Sequence, residues 1–324
     1  MPLVENSSYR PSWFLFSRHL ETIVPSLLRK VKGSSYRRTR LELLDGDFLD
    51  LDWLTGENKR EKLVIISHGL EGSSTRQYSR GMAKYFYERS WDALAWNCRS
   101  CSGEINRLAR FYHHGDTADL GFVVDEAARL GYKNIVLVGF SMGGSFGLKF
   151  LGEKGREIQS EVKGSVNFSV PCDLAAGGRI LDGPGNGFYR RRFIGKLRKK
   201  LIAKSKLFPG AIDISDIGSV RTFDVFNNVY TAPLHGFRNS DDFYSSSSSL
   251  PYLSNIRVPS LLVNAANDPM LTPECFPVQI AKDSQYLYLE IPKRGGHVGF
   301  SMRGKDENWM EVRAFEFVTQ VIGL

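Results

Sequence analysis

The chain alternates two apolar patterns. Short, almost unbroken apolar runs occur at 63–67 (LVIIS), 93–96 (ALAW), 135–140 (IVLVGF), 164–170 (GSVNFSV), 261–265 (LLVNA) and 286–291 (YLYLEI). Such runs predict strands buried on both faces. Between them lie stretches with helical spacing. Tyr78, Met82 and Phe86 recur every four residues in 76–89, and Leu120, Val123, Val124, Ala127 and Leu130 share one face of 117–130. Asp116 is the expected cap of the latter helix and Gly131 its stop. The segment after Ser141 reads as helix. So does 304–324, with Trp309, Val312, Phe315, Val318 and Ile322 as its stripe. Near the start, 40–54 predicts a hairpin turning at Asp45-Gly46, with Phe48, Leu49, Leu51 and Trp53 in its second arm.

Strands alternating with helices predict an α/β fold with a mainly parallel sheet covered on both faces. Residues 173–250 break the rhythm. They hold no strand pattern but many basic, aromatic and glycine residues, and predict a helical cap inserted between two central strands. Ser245 to Ser249, at its end, reads as loop or frayed helix. The expected organisation is one domain over 1–324, with 173–250 as the cap and 1–39 as an extension packing on the core.

Composition narrows this little. At 324 residues and 42% apolar, the chain can build a sizeable core. A net charge of +8 is a mild basic excess, and no nucleic-acid-binding module is recognisable. Cys98, Cys101, Cys172 and Cys275 are too few for a disulfide framework, which fits a reducing compartment. No run reaches the ~18 apolar residues of a spanning helix. The expectation is a cytoplasmic protein.

The chemistry concentrates at VLVGFSMGGSFG (137–148), where G-x-S-x-G occurs twice, around Ser141 and around Ser145. A nucleophilic serine of this kind needs a strand running into it and a helix leaving it, with glycines where the two crowd together. Ser141 meets that requirement. Ser145 would lie one turn into the helix, where its glycines would serve helix–sheet packing. A serine hydroxyl also needs a base, and the base an orienting carboxylate. Two histidines follow Ser141: His297, after the last strand in KRGGHVGF, and His235, inside the cap. Asp268 in NAANDPM follows the strand at 261–265, and Asp173 follows that at 164–170. Ser141, Asp268 and His297 are the favoured set. The Met142 amide, at the helix start, and the Leu70 amide, in the loop His68-Gly69-Leu70-Glu71-Gly72, are the candidate oxyanion donors. Losing one such donor typically costs ~3 kcal/mol of transition-state stabilisation.

With these pieces placed, the chain resembles the YheT-like branch of the α/β-hydrolases. The likeness runs through SRHLETIVPSLLR (17–29), LELLDGDFLDLDW (41–53), HGLEGSS (68–74), NCRSCSGEINR (97–107), YHHGDT (112–117), GFSMGGS, PLHGF (233–237), NDPM and GGHVGF. The resemblance implies the α/β-hydrolase fold, the triad Ser141, Asp268 and His297, and hydrolysis of carboxylic esters, with acylglycerols, phospholipids or medium-chain fatty esters as substrates. The sequence departs from the family at Ser100, where glycine usually follows Arg99, and at Ile105, where proline is common.

Other residues carry two readings each. His68, Gly69 and Arg99 could contact substrate. For His68 and Arg99 a structural role is the stronger reading, with Arg99 bracing its loop. Cys98 and Cys101 form C-x-x-C in a loop leaving a strand, without the further ligands zinc requires, so no metal is expected. Tyr112, His113 and His114 would buttress the floor of the site. The segment 188–208 (FYRRRFIGKLRKKLIAKSKLF) reads as a basic helix with Phe193, Leu197 and Leu201 on one side. It is either a cap helix with a solvated face or a docking surface for anionic membrane. Trp13, Phe14, Leu15 and Phe16 would pack on the core or cap edge, or instead line an acyl channel. The sequence thus predicts a cofactor-free serine hydrolase acting on a small acyl ester or lipid. An alcohol acyltransferase using the same acyl-enzyme, or a non-catalytic lipid- or protein-binding relative, is the alternative.

Overall fold

In a computed structural model, which describes residues 3–57, 60–302 and 304–324, the apolar runs pair into one nine-stranded sheet. Residues 1 and 2 of the 1–39 segment lie outside the described residues. The N-terminal part contributes β1 (Leu3–Val4), α1 (Arg18–Leu28) and the hairpin β2 (Arg37–Glu42) and β3 (Phe48–Leu54). The α/β core follows: β4 (Lys62–Ser67), α2 (Gln77–Tyr87), β5 (Asp92–Asn97), α3 (Thr117–Arg129), β6 (Asn134–Phe140), α4 (Met142–Lys154) and β7 (Val162–Phe168). Then come α5 (Leu174–Asp182), α6 (Gly187–Leu207), α7 (Phe223–Phe226), α8 (Ala232–His235) and α9 (Ser240–Ser247), with no strand among them. The chain closes with β8 (Ser260–Val263), α10 (Val278–Asp283), β9 (Leu287–Glu290) and α11 (Trp309–Phe317). Sheet order is β1-β9-β8-β7-β6-β4-β5-β3-β2. β3 pairs antiparallel with both β2 and β5, and every other pairing is parallel.

The continuous apolar character of the central strands has a direct cause: each face feeds a different core. Leu63, Ile65, Ile135 and Leu137 join α3 and α4 on one side. Val64, Ile66, Val136 and Val138 join α2 and α11 on the other. A strand with a side-chain period of two, covered by helices on both faces, has no polar position to spare. β6 therefore lies in the middle of the sheet, and the residue after it opens onto the carboxyl edge, where ligands of open α/β sheets bind.

Three expectations change. Asp116 occupies the cap position of α3, but its side chain makes no capping hydrogen bond. The closing helix starts only at Trp309, where Asn308 and Glu311 cap each other's backbone. Its buried stripe is Trp309, Met310, Ala314 and Phe317, while Val312 and Phe315 are half-buried. The Asn308 side-chain amide in turn donates to the Gly299 carbonyl at 2.5 Å. Of Trp13, Phe14, Leu15 and Phe16, only Leu15 is buried. Trp13 (72%), Phe14 (47%) and Phe16 (78%) are exposed rather than packed on the core. The run Ser245 to Ser247 is helical, at the end of α9. No helix among the described residues is long and apolar enough to cross a membrane.

Candidate active site

β6 runs straight into Ser141, and α4 begins at the next residue. Ser141 has φ 54° and ψ −118°, a conformation that costs an L-residue ~1–3 kcal/mol. The neighbouring glycines make the turn possible. A Cβ on Gly139 would lie 2.4 Å from Gly144 Cα, and one on Gly143 would lie 2.3 Å from the Ser67 carbonyl oxygen. Ser145 is fully buried, its hydroxyl donating to the Pro171 carbonyl at 3.3 Å. Gly144 faces Val170, where a Cβ would come within 2.6 Å. The second G-x-S-x-G is thus helix–sheet packing.

His297 and Asp268 arrive from the loops after β9 and β8. His297 Nε2 lies 2.9 Å from Ser141 Oγ. Its Nδ1 lies 2.8 and 3.1 Å from the two carboxylate oxygens of Asp268. Asp268 is 5% exposed, and its Oδ1 also accepts from the Met270 amide at 2.8 Å. The competing residues are engaged elsewhere. Asp173 caps α5 by accepting from the Ala176 amide at 2.9 Å. The His235 ring sits between the Thr231 and Phe111 carbonyl oxygens, at 2.7 and 3.1 Å.

Residues that the motif reading did not name hold the histidine loop. From α1, Thr22 Oγ1 accepts from the His297 amide at 2.9 Å. Glu21, 1% exposed, accepts from Asn267 Nδ2 at 2.6 Å and lies 2.9 Å from Arg294 Nε. Asn267 Oδ1 accepts from the Gly296 amide at 3.1 Å. Gly296, with φ 58°, passes so close that a Cβ would lie 2.7 Å from Thr22 Oγ1. Only the resemblance of SRHLETIVPSLLR to the family pointed to α1.

The loop 68–72 is held just as firmly. Gly69 N–H donates to Tyr78 Oη at 3.1 Å, Glu71 N–H to Tyr112 Oη at 2.9 Å, and Gly72 N–H to the Gly69 carbonyl at 2.9 Å. The Glu71 carboxylate accepts from Tyr112 at 2.7 Å and pairs with Lys200 of α6 at 2.6 Å. Among the described residues, the Leu70 and Met142 amides have no hydrogen-bond partner, so both remain free for an oxyanion.

Two cavities diverge from Ser141, sharing Ser141, His297, Leu70, Phe193 and Met270 in their walls. The first, about 100 Å³, is the more polar of the two, with Arg76, Arg192, Lys196 and Tyr189 at its sides and Thr22 beside His297. The second, about 60 Å³, is apolar, between Leu174, Gly177, Leu181, Phe223, Phe243 and Tyr244. Gly69 lines the first cavity. His68 and Arg99 line neither, which corrects their place among the candidate substrate contacts. His68 is buried and its ring is used up: Nδ1 lies 2.8 Å from the Gly69 carbonyl, and Nε2 accepts from the Cys98 amide at 3.2 Å. Burial lowers its pKa to about 4, so it stays neutral. Arg99, 1% exposed, forks onto Asp119 at 2.8 and 2.9 Å and reaches Asp47 and Asp45 at 2.8 Å each. It braces the hairpin turn, its own loop and α3. Ser100, where the family usually has glycine, keeps φ 62°, and its hydroxyl holds Asn106 at 2.5 Å.

The basic helix turns its apolar side inward. Ile194, Leu197 and Leu201 are buried against the body. Lys204 is fully buried, donating to Asn106 Oδ1 at 2.7 Å and the Leu108 carbonyl at 2.6 Å.

A strained serine after the central strand, then a buried carboxylate, then a histidine, in this chain order, define an α/β-hydrolase fold and site. Comparison with known proteins agrees. The family described as "alpha/beta hydrolase fold" matches residues 62–180. The chain is 31% identical to "Putative esterase YheT" of Escherichia coli (strain K12), over 93% of this chain and 90% of that protein. It is 26% identical to "Phospholipase ABHD3" of Bos taurus, over 92% of this chain and 74% of that one. Among solved structures, the Pyrococcus furiosus esterase Pf2001 superposes with a TM-score of 0.58 at 19% identity, covering 91% of this chain and 99% of its own; it shares the fold. The chain belongs to the YheT-like family of α/β-hydrolases.

Proposed function

We propose that the protein hydrolyses carboxylic esters through an acyl-enzyme on Ser141. His297 Nε2 takes the hydroxyl proton as Ser141 Oγ attacks the ester carbonyl, and Asp268 holds the ring in the tautomer that leaves Nε2 free to accept it. The Leu70 and Met142 amides receive the negative charge on the carbonyl oxygen. As the tetrahedral intermediate collapses, His297 returns the proton to the departing alcohol. Water, deprotonated by the same ring, then releases the acid and frees Ser141. No cofactor enters these steps. The apolar cavity takes the acyl chain. The other cavity, with Arg76, Arg192 and Lys196 in its wall, takes the alcohol, because an acyl chain gains nothing from those cations; His297, common to both walls, serves the leaving oxygen from there.

The observation that carries this reading is the unbroken line from Ser141 Oγ through His297 to Asp268, at 2.9 and 2.8 Å, on a serine with φ 54°. Relatives named esterase and phospholipase support the reaction class. The test is a series of p-nitrophenyl esters from acetyl to palmitoyl, run beside a monoacylglycerol, with and without added alcohol. Release of free acid from at least one chain length is expected. Capture of the acyl group by the alcohol in place of water would make the protein a transferase, and no turnover of any ester would refute the reading.

A further inference from the structure

α6 carries a regularity that the reaction above does not use. Phe188, Arg192, Lys196, Lys200 and Lys204 recur every four residues and so form one continuous ridge that winds slowly round the helix. The inner end of that row anchors the helix, with Lys200 on Glu71 and Lys204 in the interior. Its outer end, Phe188, Arg192 and Lys196, forms a wall of the polar cavity beside Ser141. Arg76, one residue before α2, completes that wall. The charge is one-sided. Among the described residues, none of Arg76, Arg192 and Lys196 is paired with a carboxylate. Arg76 donates to Ser26 Oγ at 3.0 Å and Lys196 to the Glu71 carbonyl at 3.1 Å. The only carboxylate in the wall is that of Glu71, already engaged by Lys200 at 2.6 Å and Tyr112 at 2.7 Å. The remaining titratable groups there are Tyr78, whose hydroxyl accepts from Gly69, Tyr189 and His297. Partial burial, with Arg76 and Arg192 nearby, pushes the Lys196 ammonium below its ordinary pKa. The three cations therefore stand in one another's field, a repulsion that an anion between them removes.

We infer that Arg76, Arg192 and Lys196 form a subsite for an anionic group, phosphate or carboxylate, carried on the alcohol half of the ester. This rests on the ester-hydrolysis reading above and makes it specific. The apolar cavity holds no cation and receives the acyl chain, so a negative group can be bound only on the leaving-alcohol side. A planar guanidinium beside an ammonium suits a multi-oxygen anion, which accepts from both.

The test compares kcat/KM for three octanoyl esters that differ only in the alcohol: glycerol, glycerol 3-phosphate and 3-hydroxypropionate. At low salt, the phosphate or the carboxylate ester is expected to exceed the neutral one by tenfold or more, and the better of the two identifies the anion. The preference should shrink at 0.5 M salt, since these cations are partly exposed and are screened. Arg192→Gln and Lys196→Gln should each lower the anionic-to-neutral ratio by about three- to tenfold, the range for charge-assisted bonds at a half-exposed site. Lys199→Gln, on the exposed side of the same helix, should not change it. A wild-type ratio near one, with the neutral ester turned over, would overturn the subsite and leave the ester reading standing. If no ester is turned over, the ester reading fails. Titration calorimetry with inorganic phosphate then decides the subsite: saturable binding that Arg192→Gln and Lys196→Gln weaken supports it, and its absence refutes it.

Discussion

The substitution Asp268→Asn separates the orienting role of the carboxylate from its packing. Asparagine has nearly the same shape, and one oxygen can still accept from the Met270 amide, which Oδ1 now holds at 2.8 Å. The amide nitrogen then falls where Oδ2 stood, 2.8 Å from His297 Nδ1. Two N–H groups cannot face each other at that distance, so Nδ1 must become the acceptor and the ring proton moves to Nε2. Nε2, 2.9 Å from Ser141 Oγ, would then donate to the hydroxyl instead of taking its proton. The variant loses both the correct tautomer and the charge that stabilises the imidazolium. For triads of this kind the loss is about 10⁴ in kcat, or ~5.5 kcal/mol of barrier. The assay is kcat and KM on the best ester of the series at pH 7–8, with the melting temperature as a control for folding. KM should change little. Asp173→Asn is the comparison, expected to keep both activity and the cap of α5, since an asparagine oxygen can accept from the Ala176 amide as the carboxylate does. Retention of more than a tenth of wild-type kcat by a well-folded Asp268→Asn would refute the assignment of Asp268 as the orienting acid.

Three further outcomes follow from packing and charge. Gly177→Val places branched carbon in the apolar cavity, where a Cβ meets only Pro171 Cβ at 3.6 Å; kcat/KM for octanoyl and longer esters should fall tenfold or more relative to acetyl. Arg99→Ala leaves Asp47 and Asp119 buried without their partner and should cost about 3–5 kcal/mol in denaturant unfolding, the signature of a brace rather than a substrate contact. The Asp116 carboxyl is pushed up to about 7 by burial and by the neighbouring Asp119 carboxylate. Because its folded pKa lies above its unfolded value, the folded state holds the proton more tightly, and stability falls as pH rises from about 4 through 7. Asp116→Asn should therefore raise the melting temperature at pH 8 and progressively less toward pH 5.

What could be read in the sequence was whatever short-range pattern dictates. Unbroken apolar runs announced strands covered on both faces, and of the two G-x-S-x-G serines only Ser141 was fed directly by such a run. Chain order then selected Asp268 and His297. Three kinds of feature escaped. Glu21 and Thr22 support the histidine loop across more than 240 residues of chain, and nothing in a helix's own spacing announces such a contact. His68 and Arg99 carry chemistry-bearing side chains beside the site, but what a buried ring or guanidinium touches is decided by partners such as Asp47, Asp119 and Cys98, drawn from separate elements. The basic run of α6 showed its charge but not its direction, since Lys200 and Lys204 turn inward while Arg192 and Lys196 face the cavity.

The account stands or falls on Ser141 being the reactive alcohol. The most direct measurement is labelling by a fluorophosphonate, which reacts only with a serine activated by a neighbouring base. Wild-type protein and Ser145→Ala should be labelled, with the adduct mapped by mass spectrometry to the peptide containing Ser141, and Ser141→Ala should not. Undiminished labelling of a folded Ser141→Ala, or an unreactive wild type, would contradict it.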